Sequence, residues 1–159
     1  GDVALRVVNL DCVGFVVAPA AYDNSIAVAG SNAAHAPWKG SSRGKAIDIT
    51  APGEDVYVAR ASVAPGAHAD ATPGDGTSFA TAAVAGAAAS WIAFHGRDAL
   101  AAAQHGATRR DLFAAALRES VTVPAGWNTA KYGPGILDVD KLLHDERLWV
   151  RQEPSEERR

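Results

Sequence analysis

Gly74-Asp75-Gly76-Thr77-Ser78-Phe79-Ala80-Thr81-Ala82-Ala83-Val84-Ala85-Gly86 passes from a glycine-rich approach into an alanine-rich stretch that carries no charge as far as Phe94. That stretch is too long for a strand and is built largely of good helix formers, so it predicts a helix from Thr77 to Phe94. Its lack of charge predicts that protein surrounds it. Ser78 stands at the N-terminus of this helix. Unpaired backbone N–H groups and roughly half a positive charge collect there, which would stabilise an oxyanion forming nearby. Gly76 would let a substrate carbonyl approach closely. The same three residues, Gly76-Thr77-Ser78, also fit ordinary capping, which Ser and Thr supply at very many helices.

On the N-terminal side, β-branched runs at Leu5 to Val8, Val13 to Val17, Ser25 to Ala29 and Ala46 to Thr50 predict short strands. Val56 to Ala59 is a further candidate. Ser62 to Gly76 is Ala, Gly, Pro, Asp and His without periodicity, which predicts an exposed loop. On the C-terminal side, Leu112, Phe113, Ala116 and Leu117 recur at helical spacing after Thr108. This predicts a helix from Arg109 to Glu119 with Thr108 as its N-cap. Tyr132-Gly133-Pro134-Gly135 predicts a turn, and Asp138 to His144 a short helix. Strands followed by a buried helix and further helices indicate a layered α/β fold. Residues 1–145 read as one partial domain. Residues 146–159 read as a charged, flexible tail.

With 159 residues, 48% of them hydrophobic and 21% charged, and a net charge of -3, the composition is that of a soluble globular domain. Basic residues are scattered, so nucleic acid is not an expected partner. No stretch reads as a membrane span. The single cysteine, Cys12, excludes an intrachain disulfide. Gly1 stands where an initiating Met would be and no signal peptide follows, so the chain reads as a piece of a longer protein.

The string Gly76 to Gly86 closely resembles the nucleophile segment of the subtilisin-like serine proteases, the subtilases. The resemblance continues in order through Pro19 to Asn32, Ser41-Ser42-Arg43-Gly44, Ile47-Asp48-Ile49-Thr50-Ala51-Pro52-Gly53 and Tyr132-Gly133-Pro134-Gly135-Ile136-Leu137-Asp138. It covers most of the chain from Cys12 to about Leu143. It implies the C-terminal portion of a three-layer α/β fold, with a mostly parallel sheet and a buried central nucleophile helix.

The resemblance further implies a serine endopeptidase acting on polypeptide substrates through an acyl-enzyme on Ser78, with no cofactor required. In the family a His takes the serine proton and an Asp orients the His. Both lie N-terminal to the segments matched here, so the resemblance implies a partner, the N-terminal half of the catalytic domain, without which this chain is inactive. The family's oxyanion Asn falls on Asp11, and one branch of the family carries Asp there. An ionised carboxylate cannot donate to an oxyanion, and losing such a donor costs about 2.7 to 4 kcal/mol. Asp48 corresponds to a carboxylate that in some members helps bind a structural Ca2+ with loop carbonyls near Ala20, Tyr22 and Ser25. Family habit suggests secretion.

Three other readings compete. His68, with Asp70 nearby, could serve as a local base, although nothing in the sequence orients it. Gly76-Thr77-Ser78-Phe79-Ala80 is one residue from the Gly-x-Ser-x-Gly elbow of α/β-hydrolases, with Asp111 or Asp138 and His144 following. That elbow needs a strand immediately before the serine, where a loop is expected. The non-enzymatic alternative is a degenerate remnant acting as a binding or regulatory module. A parallel sheet cut through its middle should also leave a strand edge open and favour self-association.

Overall fold

Two short runs, Val-Ala-Gly-Ser and Ile-Thr-Ala-Pro, form the centre of the structure as strands β1 (Val28–Ser31) and β2 (Ile49–Pro52). The computed structural model describes residues 16, 18, 20–60, 70–104 and 106–144. The expectations placed on Leu5 to Val8, on most of Val13 to Val17, on Asp11, Cys12 and His68, and on the tail fall outside them. β1 and β2 pair in parallel, Val28 opposite Ile49 and Ser31 opposite Pro52. Ala29, Ile49 and Ala51 are fully buried, as the continuous burial of a parallel sheet requires. β2 pairs in turn with β6 (Ile136–Leu137), also parallel, and β6 pairs antiparallel with β5 (Val121–Thr122), giving the order β1-β2-β6-β5.

Both principal strands start later and end later than the β-branched runs suggest. Ser25 closes a turn onto the Tyr22 carbonyl at 2.9 Å, and the Ala27 amide is bound by the Asp48 side chain at 2.9 Å. Pairing instead extends into Gly30, Ser31 and Pro52. The outer edge of β1 is also less open than expected. Gly30 donates to Ser41 Oγ at 2.9 Å, and its carbonyl accepts from Trp38 N–H at 2.9 Å.

A larger correction concerns the stretch before Gly76. β3 (Val56–Arg60) and β4 (Asp70–Gly74) form an antiparallel ribbon, with Tyr57 opposite Pro73 and Val58 opposite Thr72. Pro and Gly argue for a loop locally, but a two-stranded ribbon is all edge and tolerates proline where no N–H is needed.

Helix α1 runs Thr77–His95, within one residue of expectation. It lies on β1 and β2 and buries Ala80, Val84, Ala87 and Trp91, one stripe at helical spacing. Its other face, including Ala82, Ala85, Gly86 and Ala89, is exposed among the described residues, so protein does not surround it here. The helix is also long and apolar enough by length and composition to cross a membrane, contrary to the reading of the sequence. Its alanines make it so, and its buried stripe places it as one wall of the core.

Helix α2 (Arg97–Ala102) contributes Leu100 to that core. Helix α3 (Arg109–Glu119) begins with a full capping box: Thr108 Oγ1 accepts from the Asp111 amide at 3.2 Å, and the Asp111 carboxylate accepts from the Thr108 amide at 3.1 Å. The Thr108 hydroxyl also donates to the Asp111 carboxylate at 2.6 Å, and this bond first, then those from Arg110 and the Thr108 amide, hold the Asp111 carboxyl below its ordinary range. Phe113 meets Trp91 of α1 at 5.4 Å between ring centroids. A short helix α4 (Thr129–Tyr132) leads into Gly133, whose φ of 72° belongs to glycine and where a Cβ would lie 2.9 Å from the Ile47 carbonyl. The turn thus delivers β6 alongside β2. Thr50, fully buried, donates to the Tyr132 carbonyl at 2.7 Å. Helix α5 (Val139–His144) follows, and the Asp138 carboxylate accepts from the Lys141 amide at 3.1 Å as it starts.

At the far end of α1, His95 packs between Trp91 and Phe94, and Phe94 also meets the ring of His144, which pairs with Asp140. Burial lowers the His95 pKa, the Leu142 backbone opposes this, and His144 adds to the lowering. The folded state therefore resists a proton that the unfolded chain accepts near pH 6.5. Stability from this site is present above that pH and is lost as pH falls through the lower folded value. Thermal unfolding should show the midpoint falling below about pH 6.5, and His95→Gln should flatten that part of the profile.

Candidate active site

The parallel strands end together and their C-terminal ends face the start of α1. Open α/β sheets place their sites at this edge. The Gly53 amide donates to the Ser31 carbonyl at 2.9 Å, and the Gly53 carbonyl accepts from the Gly76 amide at 2.7 Å. A Cβ on Gly53 would stand 3.1 Å from the Gly30 Cα and 3.2 Å from the Gly76 carbonyl oxygen. Only a residue without a side chain lets these three backbone segments meet unstrained. Phe79 covers the approach: a Cβ on Gly74 would be 3.0 Å from its ring. The Asp75 carboxylate turns to the Asp55 amide at 2.9 Å, which ties the loop to the start of β3.

Gly76, in extended backbone, is the N-cap of α1, and no side chain caps the helix. Capping is therefore not what Thr77 and Ser78 do. Thr77 lends its carbonyl to the Thr81 hydroxyl at 2.9 Å. Ser78 is the second helical residue and is exposed, and among the described residues its hydroxyl has no hydrogen-bond partner. The Thr77 and Ser78 amides likewise donate to no described carbonyl, whereas Phe79 N–H returns to the Gly76 carbonyl at 3.1 Å. The site thus presents an uncommitted hydroxyl beside two uncommitted N–H groups at the positive end of a 19-residue helix.

Asp11 and His68 lie outside the described residues. His95 is seventeen residues beyond Ser78 on the same helix, about 26 Å along its axis, and His144 is beside its neighbour Phe94. Neither can reach the serine hydroxyl. That distance also removes the esterase reading, although its original objection fails: a strand, β4, does precede the serine, but in a two-stranded antiparallel ribbon. His35, exposed after β1 with φ 58°, has its amide on the Asn32 carbonyl.

Asp48 is not presented as a free cation ligand. Its Oδ2 accepts from Ala27 N–H at 2.9 Å and its Oδ1 from Arg118 Nη2 at 2.6 Å. Among the described residues no group of three or more His, Cys, Asp or Glu could hold a metal ion. With a guanidinium on one carboxylate oxygen and an amide on the other, the surroundings of Asp48 do not fit Ca2+.

What sequence reasoning missed is the pair Gly30 and Gly53 and the indole of Trp38 against Gly30, 3.2 Å from a Cβ placed there. A glycine at or just past the end of each parallel strand was the available signal.

The Subtilase family model matches residues 10–132. The chain belongs to the subtilase family. Among solved structures, it is similar to the self-cleaved protease domain of PatA, with 27% identity and a TM-score of 0.56 over 79% of this chain and 43% of that one. It is similar in fold to the prenylagaramide maturation protease PagA, with 23% identity and a TM-score of 0.59 over 79% and 44%. The leader-peptide processing serine protease EpiP from Staphylococcus aureus gives 22% and 0.59 over 80% and 32%. No curated protein matches the sequence. The chain spans less than half the length of these solved proteases. The subtilase fold, mixed α/β with a mostly parallel sheet, is the one the sequence resemblance implies.

Gly53→Ala tests how the subtilase site is held. The added methyl meets backbone on both sides, so it should cost about 1 to 3 kcal/mol, read as a lower urea midpoint. An unchanged midpoint would show that the strand ends and the Ser78 loop are not in contact.

Proposed function

We propose that this chain carries the nucleophile of a serine endopeptidase, with Ser78 attacking the carbonyl carbon of a peptide bond. The supporting observation is the exposed Ser78 hydroxyl, unused by the helix it begins, at the C-terminal edge of the parallel sheet.

Attack forms the Oγ–C bond and moves the carbonyl electron pair onto oxygen, while a base takes the hydroxyl proton. The Ser78 N–H and the helix dipole would stabilise that oxyanion. The tetrahedral species then expels the amine, which receives the proton, and water hydrolyses the acyl-enzyme on Ser78. Serine without a positioned base is a weak nucleophile. None of the described histidines is bonded to Ser78, and those of α1 and α5 are too far. As the family resemblance implies, the base and its orienting carboxylate would come from the part of a subtilase domain N-terminal to the matched segments. By the sequence correspondence Asp11 stands where the family has its oxyanion asparagine, and an ionised carboxylate in that role would slow the reaction. PatA, PagA and EpiP are named as maturation or leader-processing proteases or their domains, which favours a polypeptide substrate for this chain as well.

A fluorophosphonate probe tests this reading. The chain joined to an N-terminal subtilase half that carries the Asp and His should label strongly, this chain alone should label weakly, and Ser78→Ala should abolish labelling in both. Labelling that survives Ser78→Ala would place the nucleophile elsewhere. Strong labelling of this chain alone would show that it holds its own base.

A further inference from the structure

Asp48, the residue before β2, holds the Ala27 amide just before β1, and the turn ahead of it carries the Tyr22 and Ser25 carbonyls. Each of these groups has a protein N–H already aimed at it. The Tyr22 carbonyl accepts from Ser25 N–H at 2.9 Å. The Ser25 carbonyl accepts from Arg110 Nη2. Asp48 Oδ2 takes the Ala27 amide at 2.9 Å, and Oδ1 takes Arg118 Nη2 at 2.6 Å. Both arginines belong to α3, eight positions apart, about 12 Å along its axis. Arg110 is steadied from behind by Asp111, at 3.1 Å.

A guanidinium bonded to the Asp48 carboxylate balances its charge, and the two guanidinium groups repel a further cation. The positive charge facing Asp48 and the Ser25 carbonyl is therefore supplied from within the chain.

We infer that α3 replaces a metal ion at this loop: Arg118 on Asp48 and Arg110 on the Ser25 carbonyl hold the turn before β1, so that calcium has no role there in the unmodified protein. This does not rest on Ser78 being a nucleophile. The pair is partly exposed, Arg118 at 53% and Asp48 at 18%, so its contribution is modest and is read most directly as a difference between two proteins.

Thermal unfolding of the purified protein and of Arg118→Met, each in EDTA and in excess calcium chloride, provides that difference. Methionine keeps much of the side chain's apolar stem and removes the charge. Calcium should leave the unmodified midpoint at its EDTA value. It should raise the Arg118→Met midpoint by about 2 to 4 °C, because the freed Asp48 oxygen can then bind the ion. If Arg118→Met does not fold, Arg118→Gln carries the same comparison. A calcium response of equal size in both proteins, or absent from both, would overturn the inference.

Discussion

A single backbone hydrogen bond, Gly76 N–H to the Gly53 carbonyl at 2.7 Å, joins the start of the long helix to the end of a central strand. Gly53 is itself bonded to Ser31 and lies against Gly30, so the bond ties α1 to both leading strands at once. Because it sits two residues before Ser78, it fixes where the serine stands relative to the sheet edge. A loop of glycines would otherwise let that position wander. A nucleophile displaced by about 1 Å can lose 100-fold in rate.

The rest of the core keeps this bond short. Ala80, fully buried, lies 3.6 Å from where a Gly53 Cβ would be, and a larger residue there would hold the helix off the strand. At the other end Trp91 wedges against Phe113, fixing the rotation of α1 about its axis. The helix is therefore held by small residues where it must come close and by large ones where it must not turn. α3 serves both ends of this arrangement, through Phe113 in the core and through Arg110 on the turn before β1 and Arg118 on Asp48 before β2.

Local chemistry made some of this legible in the sequence. The bounds of α3 follow from Thr108, Asp111 and an apolar period, which act within a few residues of each other. The start of α1 follows from Gly76 and the change of composition after it. Ser78 could be picked out as a candidate, but whether it caps the helix could not, because Gly76 takes that role only through its bond to Gly53. β4 was hidden since Pro73 and Gly74 argue against a strand, and only pairing with β3 makes it one. The two-residue strands β5 and β6 carry no periodicity at all. The ion pair of Asp48 was not legible because its partner Arg118 is seventy residues away. The uncharged run of α1 suggested complete burial, whereas alanine and glycine are small enough to be apolar and still exposed.

Amide hydrogen exchange at Gly76 tests the central claim most directly. If the bond to Gly53 holds the loop to the sheet, the Gly76 N–H will exchange as slowly as the amides of Val84 and Ala87 in the core helix, opening only with global unfolding. If Gly76 exchanges at the rate of a free loop while Val84 and Ala87 stay protected, the helix start is not tied to the strand end and the position of Ser78 is not fixed by the fold.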